Sequence, residues 1–417
     1  MAIAKLPAIA FVFFCSLIVS AQQPGQKKIL WDGTHAETSG TSADWCIDAD
    51  THNLNWSPGA VTGGNHSNPQ ILPTPTQTAI TTSTPETYWE GALSYWAIDC
   101  VRRGYWVESL PPITGKITYG SSTNAQDLSK YDVFVVDEPN ISFTAAEKTA
   151  MMNFISNGGA LFAISDHTGS DRNNDGWDSP KIWNDFLTNN SVQNNAFGYT
   201  FALQDFSDAT SNSNVASSSS DSITHGPFGT VTQVKWSNGT CMTMNPAQNP
   251  LVKGHVWKSG TGQTDTAVTC VTSRYKCGRI ASIGDSSPPD DGTGNPASTL
   301  YTGYTGDASG NHRPWLMNII IWLAEGINCG ATDVNNIEDE SSISIFPNPT
   351  DGKINLSMSQ FENTTIKIYN LVGECIHSQI ITSPTSQIDL TSQSDGIYFL
   401  QTNSGGKHFT SKLIIQH

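Results

Sequence analysis

The chain has 417 residues, 37 acidic and 21 basic, for a net charge of −16, and only 14% of its side chains are charged. That length allows two or three domains and a large core. The acidic balance counts against nucleic acid as a partner, since phosphate binding leans on Lys and Arg. No transmembrane segment is expected, because no run of 18 or more apolar residues is present to span a bilayer.

The chain opens on MAIAKLPAIAFVFFCSLIVSA. One Lys, a short apolar run and Val19-Ser20-Ala21 as a cleavage site predict a secretory signal peptide over 1–21. A body over 22–330 follows, where four apolar runs each end on an aspartate: KKILWD at Asp32, YDVFVVD at Asp137, GGALFAISD at Asp166 and GRIASIGD at Asp285. Apolar runs alternating with helical stretches predict an α/β fold with a doubly wound, mostly parallel, flavodoxin-like sheet. Ligands of such sheets bind outside the carboxyl ends of the strands, so the four carboxylates should meet in one pocket along that edge.

TYWEGALSYWAIDCVRRGYWVESL reads as a helix entering an extended segment. TAAEKTAMMNFISNGG is a helix capped by Thr144, with Glu147 completing a capping box and Gly158-Gly159 ending it. Residues 205–222 are of low complexity and predict a mobile loop. RPWLMNIIIWLAEG is a late apolar helix. An acidic linker occupies 331–341. Over 342–417, ISIFPNP, KINLSM, TIKIYNL, QIDLTS, GIYFLQT and SKLIIQH predict a small all-β sandwich.

Of eight cysteines, Cys15 leaves with the signal, six lie in the body and Cys375 lies in the tail. In an exported chain they suggest disulfides. Sequence does not fix the pairing, though Cys270 and Cys277 flank a segment short enough to close as a hairpin. No CxxC is present, so the cysteines give no zinc pattern.

The densest constellation is DHTGSDRNNDGWDSP, 166–180. Asp171, Asn173, Asp175 and Gly176 fit the opening of a calcium loop. The closing Glu is replaced by Ile182, leaving Asp178 or Asp185 to substitute. A polar turn satisfied by its own backbone is the competing reading. Asp166 and His167 suit metal ligation or acid/base work. Asp32, His35 and Glu37, close to one strand end, form a metal or acid/base cluster, or else a hydrated loop. Asp285 follows a strand, and Ser286 would be a nucleophile only if a histidine reached it. No G-x-S-x-G is present. His312 is a candidate base or ligand, and Arg313 beside it a candidate anion holder. Trp31, Trp45, Trp56, Trp89, Trp96 and Trp106 are either a sugar-stacking platform or core.

Phe346-Pro347-Asn348-Pro349, GKINL, IKIYNLVGE, LTSQSDGIYFLQ and the closing KLIIQ resemble the C-terminal sorting domain of type IX secretion in the Bacteroidetes. The resemblance implies export through the outer membrane by the type IX machinery, tail removal, and attachment or release. A carbohydrate-binding sandwich is the alternative for the tail. Within the body, YDVFVVDEPNISFTAAEKTAMMNFISNGGALFAISDH resembles the class I glutamine amidotransferase-like fold, including its trehalose-utilisation type. That family places a catalytic Cys at the turn after the last of these strands. Here the turn reads Ser165-Asp166-His167-Thr168-Gly169, so thiol-based glutamine hydrolysis is not expected.

The functional expectation is a secreted or surface-attached hydrolase dependent on a divalent cation, calcium foremost and zinc or magnesium next. Its substrate would be an extracellular polymer or ester, with glycan first. A metal-free carboxylate pair is a second enzymatic form. A calcium-stabilised, non-catalytic glycan binder is the alternative class.

Overall fold

In the computed structural model, the described residues are 25–40, 43–48, 77–85, 88–89, 91–112, 115–208, 211–293, 303–308, 310–325, 343–358, 364–371, 373–404 and 407–417. The expected signal peptide, Trp56 and the acidic linker lie outside them. The chain divides into two compact units, Met1–Cys329 and Gly330–His417.

The first unit is built on one nine-stranded sheet. Strands β1 (Lys28–Asp32), β2 (Trp106–Leu110), β3 (Val133–Asp137), β4 (Ala160–Ile164) and β11 (Gly278–Ile283) lie in the order β2-β1-β3-β4-β11, all parallel. The chain then reverses. Strand β10 (Val268–Tyr275) runs antiparallel to β11, while β9 (Lys253–Trp257) and β8 (Met242–Met244) run antiparallel to β10. The short β5 (Tyr199–Phe201) runs antiparallel to β8 and ends the sheet. A two-stranded hairpin, β6 (His225–Gly226) with β7 (Gly229–Thr230), stands apart.

VFVVD and ALFAI are buried at every position, because helices cover both faces of this part of the sheet. On one face α1 (Ser94–Arg102) and α4 (His312–Ala324) pack Trp96, Ile98, Trp315 and Ile319 against Trp31, Val133, Val135 and Phe162. Trp96 makes edge-on contacts with Trp31 and Phe162 at centroid distances of 5.6 and 5.7 Å. On the other face α2 (Ala145–Ser156) and α3 (Ser179–Thr188) pack Met151, Phe154, Trp183 and Phe186 against Leu30, Phe134, Val136 and Leu161. The Thr144–Glu147 capping box opens α2 as the sequence predicts.

Four sequence expectations are corrected here. The chain is not a doubly wound, mostly parallel α/β flavodoxin-like fold. It is mostly β, with four α-helices among the described residues and a mixed large sheet. The physical reason lies after α3, where the chain returns by antiparallel hairpins instead of helical crossovers. Residues 205–222 are not a free loop, since bridges tie Phe206 to Gly239, Asn212 to Val234 and Val215 to Val256. Trp31, Trp45, Trp89 and Trp96 are core side chains, so they offer no ring faces to a sugar. No bridge closes the Cys270–Cys277 hairpin: among the described residues Cys46, Cys100, Cys241, Cys270 and Cys375 are free, while Cys277 is disulfide-bonded.

The second unit is a sandwich of two antiparallel sheets. One sheet orders β12 (Ile343–Phe346), β13 (Lys353–Met358) and β16 (Thr385–Asp389). The other orders β15 (Cys375–Ile381), β14 (Thr364–Tyr369), β17 (Gly396–Ser404) and β18 (Lys407–Ile415). Alternating inward residues, Ile354 and Leu356 from one sheet with Ile366, Ile368 and Leu400 from the other, fill the space between.

Candidate functional site

Parallel register brings four strand ends to one rim. Asp137 pairs with Ile164, and Ile283 pairs with Ile164 from the other side, so Asp166 and Asp285 lie two residues past matched positions. Side chains alternate along a strand. Asp137 therefore follows Val135 toward the α1/α4 face, while Asp166 and Asp285 lie just past the ends of β4 and β11. Asp32 follows Leu30 toward the α2 face. The expected single pocket is thus two neighbouring clusters, one on each side of the rim.

The first cluster centres on His35. After Asp32 the chain turns tightly, with Ala36 at φ 54°. The backbone N–H of His35 donates to both oxygens of Glu37 at 3.0 Å. His35 Nδ1–H donates to Asp32 Oδ2 at 2.8 Å, and Thr34 Oγ1 donates to Asp32 Oδ1 at 2.7 Å. Nε2 faces Glu147 Oε2 of α2 at 3.5 Å. Asp32, His35 and Glu37 are all buried, and each offers a ligand atom within 4.8 Å of the others. Burial alone would lower the His35 imidazole, but the Asp32 charge, its hydrogen bond and Glu147 outweigh it and hold the group up at about 10. Burial would raise Asp32, yet His35 and the surrounding hydrogen bonds keep it below its ordinary value. Burial and then the Asp32 charge push Glu37 well above its ordinary value. One acid thus holds a proton while its neighbour stays ionised, as like charges in one buried site require.

The second cluster centres on Glu138, a non-glycine residue at φ 47° directly after β3. Four donors converge on its two oxygens: Trp45 Nε1 at 2.6 Å and Ser286 Oγ at 2.9 Å on Oε2, and Arg172 Nε at 3.1 Å and Nη2 at 2.9 Å on Oε1. Arg172 Nη2 also reaches Asp166 Oδ2 at 3.3 Å, and His167 Nε2 lies 3.5 Å from the same oxygen. Burial, then the Glu138 and Asp285 charges, push Asp166 well above its ordinary value despite Arg172. Asp285 accepts from the backbone N–H groups of Ser237 at 2.6 Å and Ser287 at 2.8 Å, but burial outweighs them and lifts it to about 7. Asn140 joins the two clusters: its N–H donates to His35 O at 2.8 Å, and its Oδ1 accepts from Arg172 N at 3.2 Å.

Other sequence candidates take structural posts. Asp178 is the N-cap of α3, accepting from Lys181 N at 3.2 Å and from Gly169 N at 2.9 Å. Asp171, Asn173 and Asp175 direct oxygens at the loop's own amides, with Gly176 N donating to Asp171 at 2.7 Å and Trp177 N to Asp175 at 2.8 Å. His312 is not placed as a base: Nε2 accepts from Lys235 N at 3.0 Å, Nδ1 donates to Gly303 O at 2.8 Å, and burial lowers its pKa. Arg313 is held internally by Asp99 at 2.7 and 2.8 Å. Ser286 donates to Glu138 rather than to an imidazole. Sequence reasoning missed Glu138, Arg172, Asn140 and the site role of Glu147. Only the acidic pair Asp137-Glu138 carried a signal for the first of these.

Residues 344–416 match the family described as Secretion system C-terminal sorting domain. That domain indicates export via the outer membrane, a secreted or cell-surface location and interaction with the secretion machinery. No curated protein matches the chain. Among solved structures it is similar to a DUF3244 family protein with an immunoglobulin-like β-sandwich fold from Bacteroides vulgatus (17% identity, 20% of this chain and 92% of that one, TM-score 0.18). It is also similar to the mmIFT52 N-terminal domain (12% identity, 62% of this chain and 97% of that one, TM-score 0.36). A third is PorZ, a surface component of the type-IX secretion system of Porphyromonas gingivalis (12% identity, 22% of this chain and 14% of that one, TM-score 0.17). At these values the likenesses assign no activity, and the amidotransferase-like resemblance of the body is not shown. Among the described residues no helix is long and apolar enough to cross a membrane.

Proposed function

We propose that the first unit is a secreted hydrolase, dependent on a divalent cation, that works at the carboxyl rim of its sheet on an extracellular glycan or ester. One juxtaposition carries the reading: Asp32, His35 and Glu37, buried at the end of β1, with ligand atoms within 4.8 Å of one another. Carboxylates with one imidazole suit zinc, manganese or magnesium better than calcium, which takes about six to eight oxygens. The pocket already has places a cation would take over, since His35 is held protonated there by Asp32 against burial, and burial with the Asp32 charge favours a proton on Glu37. A bound ion would supply Lewis acidity and a more acidic water. Across Asn140, Asp166 is raised well above its ordinary value by burial and the Glu138 and Asp285 charges, as a general acid requires.

The test is hydrolysis of a panel of polysaccharides and esters by protein stripped with a chelator and then reloaded. Activity should vanish on stripping, return with one metal, and fail to return in Asp32→Asn or His35→Ala. Stripped protein as fast as loaded protein overturns the cation reading. A metal-free acid/base form gains support from His35, which Asp32 and Glu147 already hold between them. Activity that persists in chelator and disappears in Asp166→Asn would establish that form. A glycan binder without catalysis has less behind it, because the clustered tryptophans are core.

A further inference from the structure

We propose that Asp137 anchors a second divalent-cation site on the α1/α4 side of the rim, with Asp285 as its partner ligand, separate from the pocket around His35. Asp137 is the last residue of β3 and is 2% exposed. Neither of its carboxylate oxygens has a hydrogen-bond partner among the described residues. A buried polar group left so is strongly unfavourable. Such groups in folded proteins are answered by a donor, a water or an ion. The surroundings choose among these. The charged groups that act on Asp137 are Glu138, Asp285 and Asp290, all negative. A neutral water leaves that repulsion in place, whereas a cation removes it.

Buried acids elsewhere in the unit show the contrast. Asp99 is met by Arg102, Arg313 and the Tyr304 hydroxyl. Asp221 is met by Lys253 and His255. Asp137 has no such complement, although Arg172 is close enough to its neighbour Glu138 to bond it twice. Parallel register sets Asp137 and Ile283 on either side of Ile164, so Asp285 follows two residues past the matched end of β11, and its charge acts on Asp137. Two carboxylates, with the rest of the shell from water or substrate, are the usual protein share of a magnesium site. A hard divalent ion, magnesium or calcium, is therefore the ligand class.

Calorimetric titration of chelator-stripped full chain with magnesium, calcium and manganese tests this. Wild type should bind two equivalents, and His35→Ala and Asp137→Asn one each. Asp285→Asn should weaken the same equivalent as Asp137→Asn by at least about tenfold. Terbium luminescence sensitised through Trp45, which bonds Glu138, gives a second readout that does not depend on activity. Asp137→Asn that stays folded and binds the same number of ions as wild type overturns the proposal, and so does an ion-insensitive increase in its melting temperature. Because His35→Ala removes only the first pocket, failure there leaves the second site measurable.

Discussion

Replacing Glu138 separates backbone strain from charge at the rim. Two effects meet at this residue. Its carboxylate takes four hydrogen bonds, two from the half-buried Arg172. Removing one partner of a buried ion pair typically costs about 3–5 kcal/mol, because the other charge is left uncompensated. Asp166 still faces Arg172 at 3.3 Å, so the loss should fall at the lower end, about 3 kcal/mol in Glu138→Ala. Its φ of 47° meanwhile costs a side-chain-bearing residue about 1–2 kcal/mol that glycine does not incur. Glycine's greater freedom in the unfolded chain returns part of that. Glu138→Gly should therefore be about 1 kcal/mol more stable than Glu138→Ala while lacking the same hydrogen bonds. Urea unfolding followed by tryptophan fluorescence is the assay, since all twelve tryptophans precede residue 330 and report the first unit alone. A glycine variant no more stable than the alanine variant would refute the strain argument. Losses under about 1 kcal/mol in both would refute the buried-pair argument.

Asp291 reaches across the unit to the start of α1, where it accepts from Ser94 Oγ at 2.7 Å and Tyr95 N at 2.8 Å while the N-cap Leu93 offers no side-chain bond. Asp291→Ala should cost about 1–2 kcal/mol in the same urea assay, and Asp291→Asn less. Asp285 is raised to about 7 in the folded state from an ordinary 3.8, so the native state binds its proton more tightly than the unfolded chain does. Its contribution is complete below about pH 4 and is lost as pH rises toward 7, at up to about 1.4 kcal/mol per pH unit. In chelator, the first unit should weaken across that window, and Asp285→Asn should flatten the slope.

How much of this was legible in the sequence follows from the range of each interaction. β1, β3 and β4 are continuous apolar runs, and the Thr144 cap is local, so both could be read directly. Asp32, His35 and Glu37 lie within six positions, and their meeting needs only one turn. Glu138 could not be read that way, because its role depends on a positive φ and on Trp45, Arg172 and Ser286, which lie 93, 34 and 148 positions away. Glu147 looked complete as a capping residue, which it also is. Asp171, Asn173 and Asp175 show the opposite ambiguity. The spacing that wraps a calcium ion also satisfies a turn's own amides, and sequence cannot separate the two. The antiparallel half of the sheet escaped because β5 and β8 are three residues each, too short for a period of two to show.

The distribution of buried acids argues that the rim is kept for a purpose other than stability. Asp32, Glu37, Asp137, Glu138, Asp166 and Asp285 are all buried there. Among the described residues their ion pairs come from His35, His167 and Arg172. Away from the rim, Asp99 and Asp221 are each met by two cationic side chains. Apolar side chains of similar volume at the rim would relieve desolvation and repulsion together, and such exchanges are often neutral or stabilising. The two helix-covered cores offset the excess negative charge, and Glu138 adds backbone strain beside it. Unbalanced carboxyls and a strained residue concentrated at strand ends are what a site prepared for cations or protons would require.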